Sequence, residues 1–315
     1  MTDQRFLLVV NPRGGKRRGL TILEQIQPVF AAAGAELDVR VTERSGPALE
    51  IARTTDLNGY AGLCLIGGDG TVHEVVNGLL QRDRPPAIPL GLIPAGTGNT
   101  VHQHLHGRAS PQEAAQQILA GRTGPLDAVR VSLAGQIVHC INIIGWGAVA
   151  EINGTAEKLR RLGPPRYAAA ALWHILRARR RRARLILDGQ VHDDDFLFLI
   201  ACNTKFTGAN MKLAPRAEVD DGRLDVIVVR RASRLQMLKI FRSVYNGSHL
   251  ALPYVEYHQV RSFTLESAGH ESLNLDGEMK GTTPFAAEVL PSALRVFGAR
   301  SPAIVSHINR GGERR

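Results

Sequence analysis

Over the first 120 or so positions, short apolar runs end on polar glycine turns, and apolar residues at helical spacing follow each turn. The run at 6–10 meets Asn11-Pro12-Arg13-Gly14-Gly15-Lys16, and Leu20, Leu23, Ile26, Val29 and Phe30 then mark an amphipathic helix. Residues 37–41 alternate like a strand, and residues 46–55 read as a helix. The run at 63–66 meets Gly67-Gly68-Asp69-Gly70-Thr71, after which Val72, Val75, Val76, Leu79 and Leu80 continue as a helix. The run at 89–93 meets Pro94-Ala95-Gly96-Thr97-Gly98-Asn99, and residues 111–120 close the series as another helix. Repeated strand–helix units predict an α/β domain with a parallel sheet and helices on its faces.

Near residue 125 the pattern changes. Val129, Val131 and Leu133, a Gly135-Gln136 turn and residues 137–144 predict an antiparallel hairpin. Residues 168–176 form an apolar helical run. Strands are predicted at 183–187, 196–202, 225–229, 260–265, 272–275 and 285–297, with a helix at 235–245. The predicted organisation is an α/β domain over 1–125 and a β-rich, sandwich-like domain over 126–300. The last strand is expected to return to the first domain, and residues 301–315 read as a basic tail.

The glycine turns carry the candidate chemistry. Glycines 67, 68 and 70 are free to take positive φ and to bring backbone close to a ligand. The following helix offers its N-terminal N–H groups to phosphate. Asp69 adds a carboxylate suited to a metal ion or a substrate hydroxyl, and a helix N-cap is the simpler alternative. The Asn11 amide and the Arg13 and Lys16 cations suit a nucleotide phosphate, with a solvated basic loop as the alternative. Asn274-Leu275-Asp276-Gly277-Glu278 sets two acids around a glycine at a strand end. Asp276 is placed to accept a proton and Glu278 to hold Mg²⁺, although Asp-Gly alone is also a hairpin signal. The Asp220-Asp221-Gly222 turn suits either a tight bend or a metal. His102, His104 and His106 alternate on a predicted helix, where residues two apart do not share a face, so they read as core or surface histidines.

The first two turns, with His73-Glu74-Val75-Val76-Asn77-Gly78, resemble the nucleotide-binding signature of the diacylglycerol kinase and sphingosine kinase superfamily. A bare GGDGT is shared with NAD kinases and phosphofructokinases; the HEVVNG that follows narrows it to the lipid kinases. PAGTGN is similar to that family's third motif, which implies that Thr97, Gly98 and Asn99 contact the nucleotide, as do Gly67, Gly68, Gly70, Thr71, Asn11 and Arg13. A stretch from Gly145-Trp146-Gly147 to Arg166-Tyr167 resembles the sphingosine kinase branch and implies that Arg160 and Arg166 reach the phosphates. That branch has an aspartate for the amino-alcohol head of its lipid where this chain has Asn153. The amide hydrogen-bonds a hydroxyl but does not pair with an ammonium. In the family the LDGE motif is functional, with Asp69 or Asp276 as the base and Glu278 on the metal. A DG turn like Asp220-Asp221 holds a structural Mg²⁺ in the diacylglycerol branch.

The resemblance therefore implies an ATP- and Mg²⁺-dependent lipid kinase. An NAD kinase-like enzyme, or a nucleotide or lipid sensor retaining the fold, is the alternative.

Composition narrows the partners. The chain has 315 residues, 44% of them hydrophobic, enough for two cores, and no apolar run is long enough to span a bilayer. The start of the sequence enters a strand directly, so no signal peptide is expected. Cys64, Cys140 and Cys202 are widely spaced in apolar segments and read as reduced core residues of a cytoplasmic protein. The net charge of +10 fits a nucleotide, an anionic lipid surface or nucleic acid. Aromatic residues make up only 5%, too few for stacking platforms, which argues against nucleic acid. The Arg-rich run at 177–184 suggests peripheral contact with the inner, anionic membrane face; a solvated helix end before a strand is the alternative.

Overall fold

The computed structural model describes residues 4–43, 46–159, 163, 165–208 and 211–298. Its first part runs β1 (Arg5–Val10), α1 (Gly14–Arg17), α2 (Gly19–Ala32), β2 (Glu36–Val41), α3 (Pro47–Thr54), β3 (Gly62–Gly67), α4 (Asp69–Leu80), β4 (Pro89–Pro94), α5 (Thr100–His106) and α6 (Pro111–Leu119). Strands pair in the parallel order β2-β1-β3-β4. Both faces are covered, so β1 and β3 are buried almost end to end, as their unbroken apolar runs require. The glycine turns all leave from the carboxyl ends of these strands, where open α/β sheets form their crevice.

The second part runs β5 (Thr123–Leu133), β6 (Gln136–Cys140), β7 (Ile143–Gly147), α7 (Ala148–Lys158), α8 (Arg166–Arg177), β8 (Arg181–Leu187), β9 (Gln190–Phe196), β10 (Phe198–Cys202), β11 (Leu224–Val229), α9 (Arg234–Ser243), β12 (Glu256–Val260), β13 (Ser262–Ser267), β14 (Ser272–Leu275), β15 (Glu278–Thr282) and β16 (Phe285–Phe297). One antiparallel sheet has the order β12-β11-β10-β7-β14-β15. It packs on β5, β6, β8, β13 and β16 through Val129, Trp146, Leu185, Phe196, Leu199 and Phe263. Along β10 the pleat divides the side chains. Leu199 and Ala201 enter this inter-sheet core, while Phe198, Ile200 and Cys202 enter a second core that also takes in Ala171 and Ile175 of α8 and Ile240 of α9.

The two parts share a sheet. The first half of β16 pairs with β13 and β5, and its second half lies parallel to β4 and antiparallel to the start of β5. Residue 125 sits inside β5. Between the halves of β16 the register shifts at 290–294, and Asp127 fills the bulge: it accepts from Ser292 N–H at 2.6 Å and from Gly222 N–H at 2.7 Å.

Three predicted strands turn out to cross between sheets. The run at 137–144 divides into β6 and β7, that at 196–202 into β9 and β10, and that at 260–265 into β12 and β13. At the third crossing Asp188 accepts from the amides of Arg261 and Ser262. The run at 285–297, predicted as separate closing strands, is the single strand β16.

Among the described residues no helix is long and apolar enough to cross a membrane.

One buried acid has a measurable cost. Asp225 in β11 is fully buried, and its Oδ2 has no partner. Burial, helped by the charges of Asp221 and Glu218, pushes its carboxyl up to about 7 from 3.8. The native state therefore holds a proton that the unfolded chain releases, and stability falls as pH rises from about 4 to about 7. Asp225→Asn is expected to raise the melting temperature at pH 8, with the gain disappearing by pH 4 in a thermal-melt series.

Candidate active site

The Asp69 carboxylate stands in the first turn of α4, straight after the strand-to-helix turn at Gly68. The turn is tight because two glycine loops touch backbone to backbone. A Cβ on Gly68 would lie 2.9 Å from the Gly96 Cα, and one on Gly96 would lie 2.6 Å from the Gly68 Cα. A Cβ on Gly67 would meet Thr71 at 2.5 Å. Positive φ is not what these positions need: Gly68 has φ −112°, and Gly67, Gly70, Gly96 and Gly98 also avoid the left-handed region. The residue that takes it is Asn99, at φ 50°. Its amide closes the loop on Gly96, accepting from the N–H at 2.8 Å and donating to the carbonyl at 2.9 Å.

Asp69 Oδ1 accepts from Thr100 N–H at 2.7 Å and from the Thr100 hydroxyl at 2.8 Å. Its Oδ2 lies beside Gly98, where a Cβ would come within 2.6 Å. Burial pushes this carboxyl above its ordinary range against the pull of the Thr100 bonds, and the nearby Asp276 charge adds to the rise.

Asp69 and Asp276 both line a cleft of about 270 Å³ between the two parts. One wall is apolar, with Ile143, Val149, Ile152, Ile200, Met211 and Leu213; the polar rim includes Asn153, Arg166, Tyr167 and Thr207. Glu278 is exposed on the rim, facing Gly70: a Cβ there would lie 3.6 Å from Glu278 Oε1. Asp276 takes φ 54°, and its buried carboxylate accepts from the amides of Ile141, Asn142 and Ile143 and from His73 Nδ1 at 2.8 Å. The Gly277 turn is pinned from both sides. Asn153 Nδ2 donates to Gly277 O at 2.7 Å, and Asn274 Oδ1 accepts from Gly277 N–H at 2.8 Å.

Other predicted residues stand differently. Asn11 orients Thr71, donating to its hydroxyl at 2.9 Å, and its Oδ1 accepts from Arg13 N–H. Arg13 and Thr97 are exposed. Arg166, in the first turn of α8, is paired with Glu157 at 3.5 Å and stacked on Tyr167. Asp220 and Asp221 lie outside the cleft, on the turn whose Gly222 amide binds Asp127. Among the described residues no cluster of three or more His, Cys, Asp and Glu groups is arranged around a metal. Arg160 and the 301–315 tail lie outside the described residues, as does the Lys16 side chain. His102 faces the carbonyls of Leu92 and Ala109, and His104 accepts from Lys205 N–H.

Sequence reading missed Thr100, Asn142 and Thr204, all buried beside the cleft. His73 and Asn77 enter that reading only as part of a signature. A signal for that pair was present: two polar residues one turn apart on the buried side of an otherwise apolar helix.

The donor set fits a nucleotide with a hard cation. The N-terminus of α4 has no side-chain cap, and the carboxylates of Asp69 and Glu278 provide oxygen ligands or acceptors on either side of it.

Comparison with known proteins agrees with this geometry. Residues 5–131 match the diacylglycerol kinase catalytic domain, and residues 142–298 match the YegS C-terminal NAD kinase beta sandwich-like domain. Human sphingosine kinase 1 is 28% identical over 91% of this chain and 89% of its own length. The diacylglycerol kinase of Staphylococcus carnosus is 28% identical over 89% of this chain and 90% of its own. A crystal structure of a diacylglycerol kinase from Bacillus anthracis shares the fold, with a TM-score of 0.73 at 23% identity over 97% of this chain and 100% of its own. With both halves of the chain accounted for in the same order as the two lobes around the cleft, the protein belongs to the diacylglycerol kinase and sphingosine kinase superfamily of lipid kinases.

Proposed function

We propose that the chain transfers the γ-phosphoryl group of ATP to the hydroxyl of an uncharged lipid of the diacylglycerol type. Residues 1–125 would carry the nucleotide and residues 126–300 the lipid. The observation that carries this reading is the position of Asp69, between an uncapped helix N-terminus and an apolar-walled cleft. Asp69 is the general base: its Oδ2, beside Gly98, takes the proton of the attacking hydroxyl, while Thr100 holds Oδ1. The N–H groups at the start of α4 bind phosphate, and Arg166 at the rim offsets its charge. Glu278 would hold Mg²⁺, which offsets charge on the phosphates when bound. Asp220 and Asp221 retain the structural-Mg²⁺ assignment of the sequence reading, outside the transfer site.

Asn153 supports the uncharged head. Its amide nitrogen is committed to the Gly277 carbonyl, a bond that an aspartate does not make, and its oxygen offers an acceptor for a hydroxyl but no charge for an ammonium. Transfer of labelled phosphate from ATP and Mg²⁺ to a panel of diacylglycerol, sphingosine, ceramide and NAD tests this. Labelled diacylglycerol is expected. A sphingosine product moves the chain to the other branch, and labelled NADP overturns the lipid reading. Asn153→Asp is expected to lower turnover of diacylglycerol by loosening the Gly277 turn.

The protein works at an anionic membrane face of the cytoplasm. The part of the Arg-rich run that supports this differs from the sequence expectation. Arg181 is buried in ion pairs with Glu151 and Glu271, because the inward positions of β8 begin there. Contact comes instead from α8, where Leu172, Trp173 and Leu176 are 51%, 53% and 53% exposed and Arg177 stacks on Trp173 at 3.5 Å. Exposed Arg179 and Arg180 follow, and the first turn of the same helix lines the cleft. Trp173→Glu with Leu176→Glu is expected to abolish sedimentation with vesicles rich in anionic phospholipid while leaving turnover of detergent-dispersed lipid intact. Unchanged sedimentation rules this face out.

A further inference from the structure

Asp276 is the second acid of the cleft, and its carboxylate is already full. Oδ1 accepts from the amides of Asn142 and Ile143 at 2.9 and 3.1 Å; Oδ2 accepts from Ile141 N–H at 3.1 Å and His73 Nδ1–H at 2.8 Å. A carboxylate offers about four lone-pair sites, so four donors leave no good site for a substrate proton. The amides it binds are those of the crossing between β6 and β7, where the chain changes sheets.

From that crossing a bonded path leads to Asp69. Asn142 Nδ2 donates to Thr100 Oγ1 at 2.7 Å, and the Thr100 hydroxyl donates to Asp69 Oδ1 at 2.8 Å. The Asn142 amide is kept in this sense by Thr204, whose hydroxyl donates to its oxygen at 2.5 Å. The other end is anchored on α4. Asn77 binds the His139 backbone in both directions at 2.8 Å and the His73 carbonyl at 2.9 Å. His73, Asn77, Thr100, Asn142, Thr204 and Asp276 are buried, and Asp69, where the path ends, is half-buried at the cleft.

We propose that Asp276 is a positioning residue: held by His73, it fixes the 141–143 crossing, and Asn142 and Thr100 carry that placement to the Asp69 carboxylate. This rests on Asp69 being the base of the reaction. The HEVVNG signature thereby acquires a physical task, since His73 and Asn77 lock the helix behind the phosphate turn to the second lobe. His73 serves through Nδ1, so asparagine, whose amide nitrogen takes the place of Nδ1, is the conservative variant, and leucine removes the donor at similar volume.

The test uses His73→Leu, His73→Asn, Asn142→Leu, and His73→Leu combined with Asn142→Leu. With the lipid that the wild type phosphorylates, His73→Leu and Asn142→Leu are each expected to lower kcat about tenfold to a hundredfold, the cost of a small misplacement. In His73→Leu, KM for ATP and lipid stays within about twofold, because His73 itself does not line the cleft. His73→Asn restores kcat, and the double variant falls no further than the worse single, as expected for residues on one path. Amide hydrogen exchange needs no turnover: His73→Leu is expected to speed exchange selectively at Ile141, Asn142, Ile143 and Thr100, and His73→Asn to leave them protected.

Three results overturn the proposal. One is unchanged exchange at these amides in His73→Leu. Another is exchange faster across the whole second lobe, with asparagine behaving as leucine does. The third is Asp276→Asn losing more than about a hundredfold beyond the His73→Leu variant, which assigns the base to Asp276. Absence of turnover in the wild type with every lipid sinks the kinase reading instead, and the exchange result alone then decides the positioning role.

Discussion

Asp69→Asn is expected to lower kcat for lipid phosphorylation by about 10²- to 10⁴-fold, the usual contribution of a general base. The amide replaces the carboxylate almost atom for atom. Its oxygen still accepts from the amide and hydroxyl of Thr100, the two bonds that now orient Oδ1. What disappears is the basic oxygen beside Gly98. Stability does not fall with activity, because the wild-type carboxyl is itself costly: burial and the Asp276 charge hold it above its ordinary range. Removing an ionisable group whose charged form is disfavoured in the fold leaves the melting temperature at pH 7 unchanged or higher. The same shift fixes a pH dependence. Turnover needs Asp69 ionised, so kcat/KM of the wild type rises with pH through a value above that of an exposed aspartate. A variant that melts like the wild type and turns over within about tenfold of it removes Asp69 from the base role.

Much of the architecture is legible in local pattern. Runs such as 6–10 and 63–66 have no polar interruption because helices cover both faces of their sheet, and each ends in a turn whose glycines permit close backbone contact. The misreadings have a common origin in distant partners. A run such as 137–144 keeps its apolar character through Asn142, yet it breaks there because its amides turn to the Asp276 carboxylate, more than a hundred residues away in sequence. The period of a strand does not record which sheet it joins. The amides of Asn11 and Asn99, expected at the nucleotide from residue type and place, also bond Thr71 and Gly96, a loop-shaping part that residue type alone does not show. Arg181 looks like its exposed neighbours until the alternation of β8 turns it toward Glu151 and Glu271. Thr100 and Asn142 carry no signal in any short window. Their meaning comes from three segments meeting at Asp69, which only the fold brings together.

A large structural penalty at the site is expected from one methyl group at Gly96. At φ values any residue adopts, the obstacle to Gly96→Ala is contact alone: the new Cβ would stand 2.6 Å from the Gly68 Cα and 2.8 Å from Asn99 Oδ1. The first neighbour is backbone at the entry to α4 and has no rotamer by which to yield, so the two loops must separate. Overpacking of this kind costs about 1–3 kcal/mol, which is a drop of several degrees in melting temperature for a chain of this size. The separation also moves Asp69 relative to Thr100, so kcat falls together with stability. Gly70 supplies the contrast. It lies in the same signature, but a Cβ there meets only Glu278 Oε1 at 3.6 Å. As the second residue of α4, alanine at 70 gains up to about 1 kcal/mol of helix preference, so Gly70→Ala is expected to melt at or above the wild type. Its defect appears in KM for ATP, because the methyl enters the gap between the helix N-terminus and Glu278 that the phosphates are proposed to fill. If Gly96→Ala melts normally, the two loops are not in the contact described. If Gly70→Ala leaves KM for ATP unchanged, the nucleotide does not approach the start of α4, and the phosphate must be sought elsewhere along the cleft.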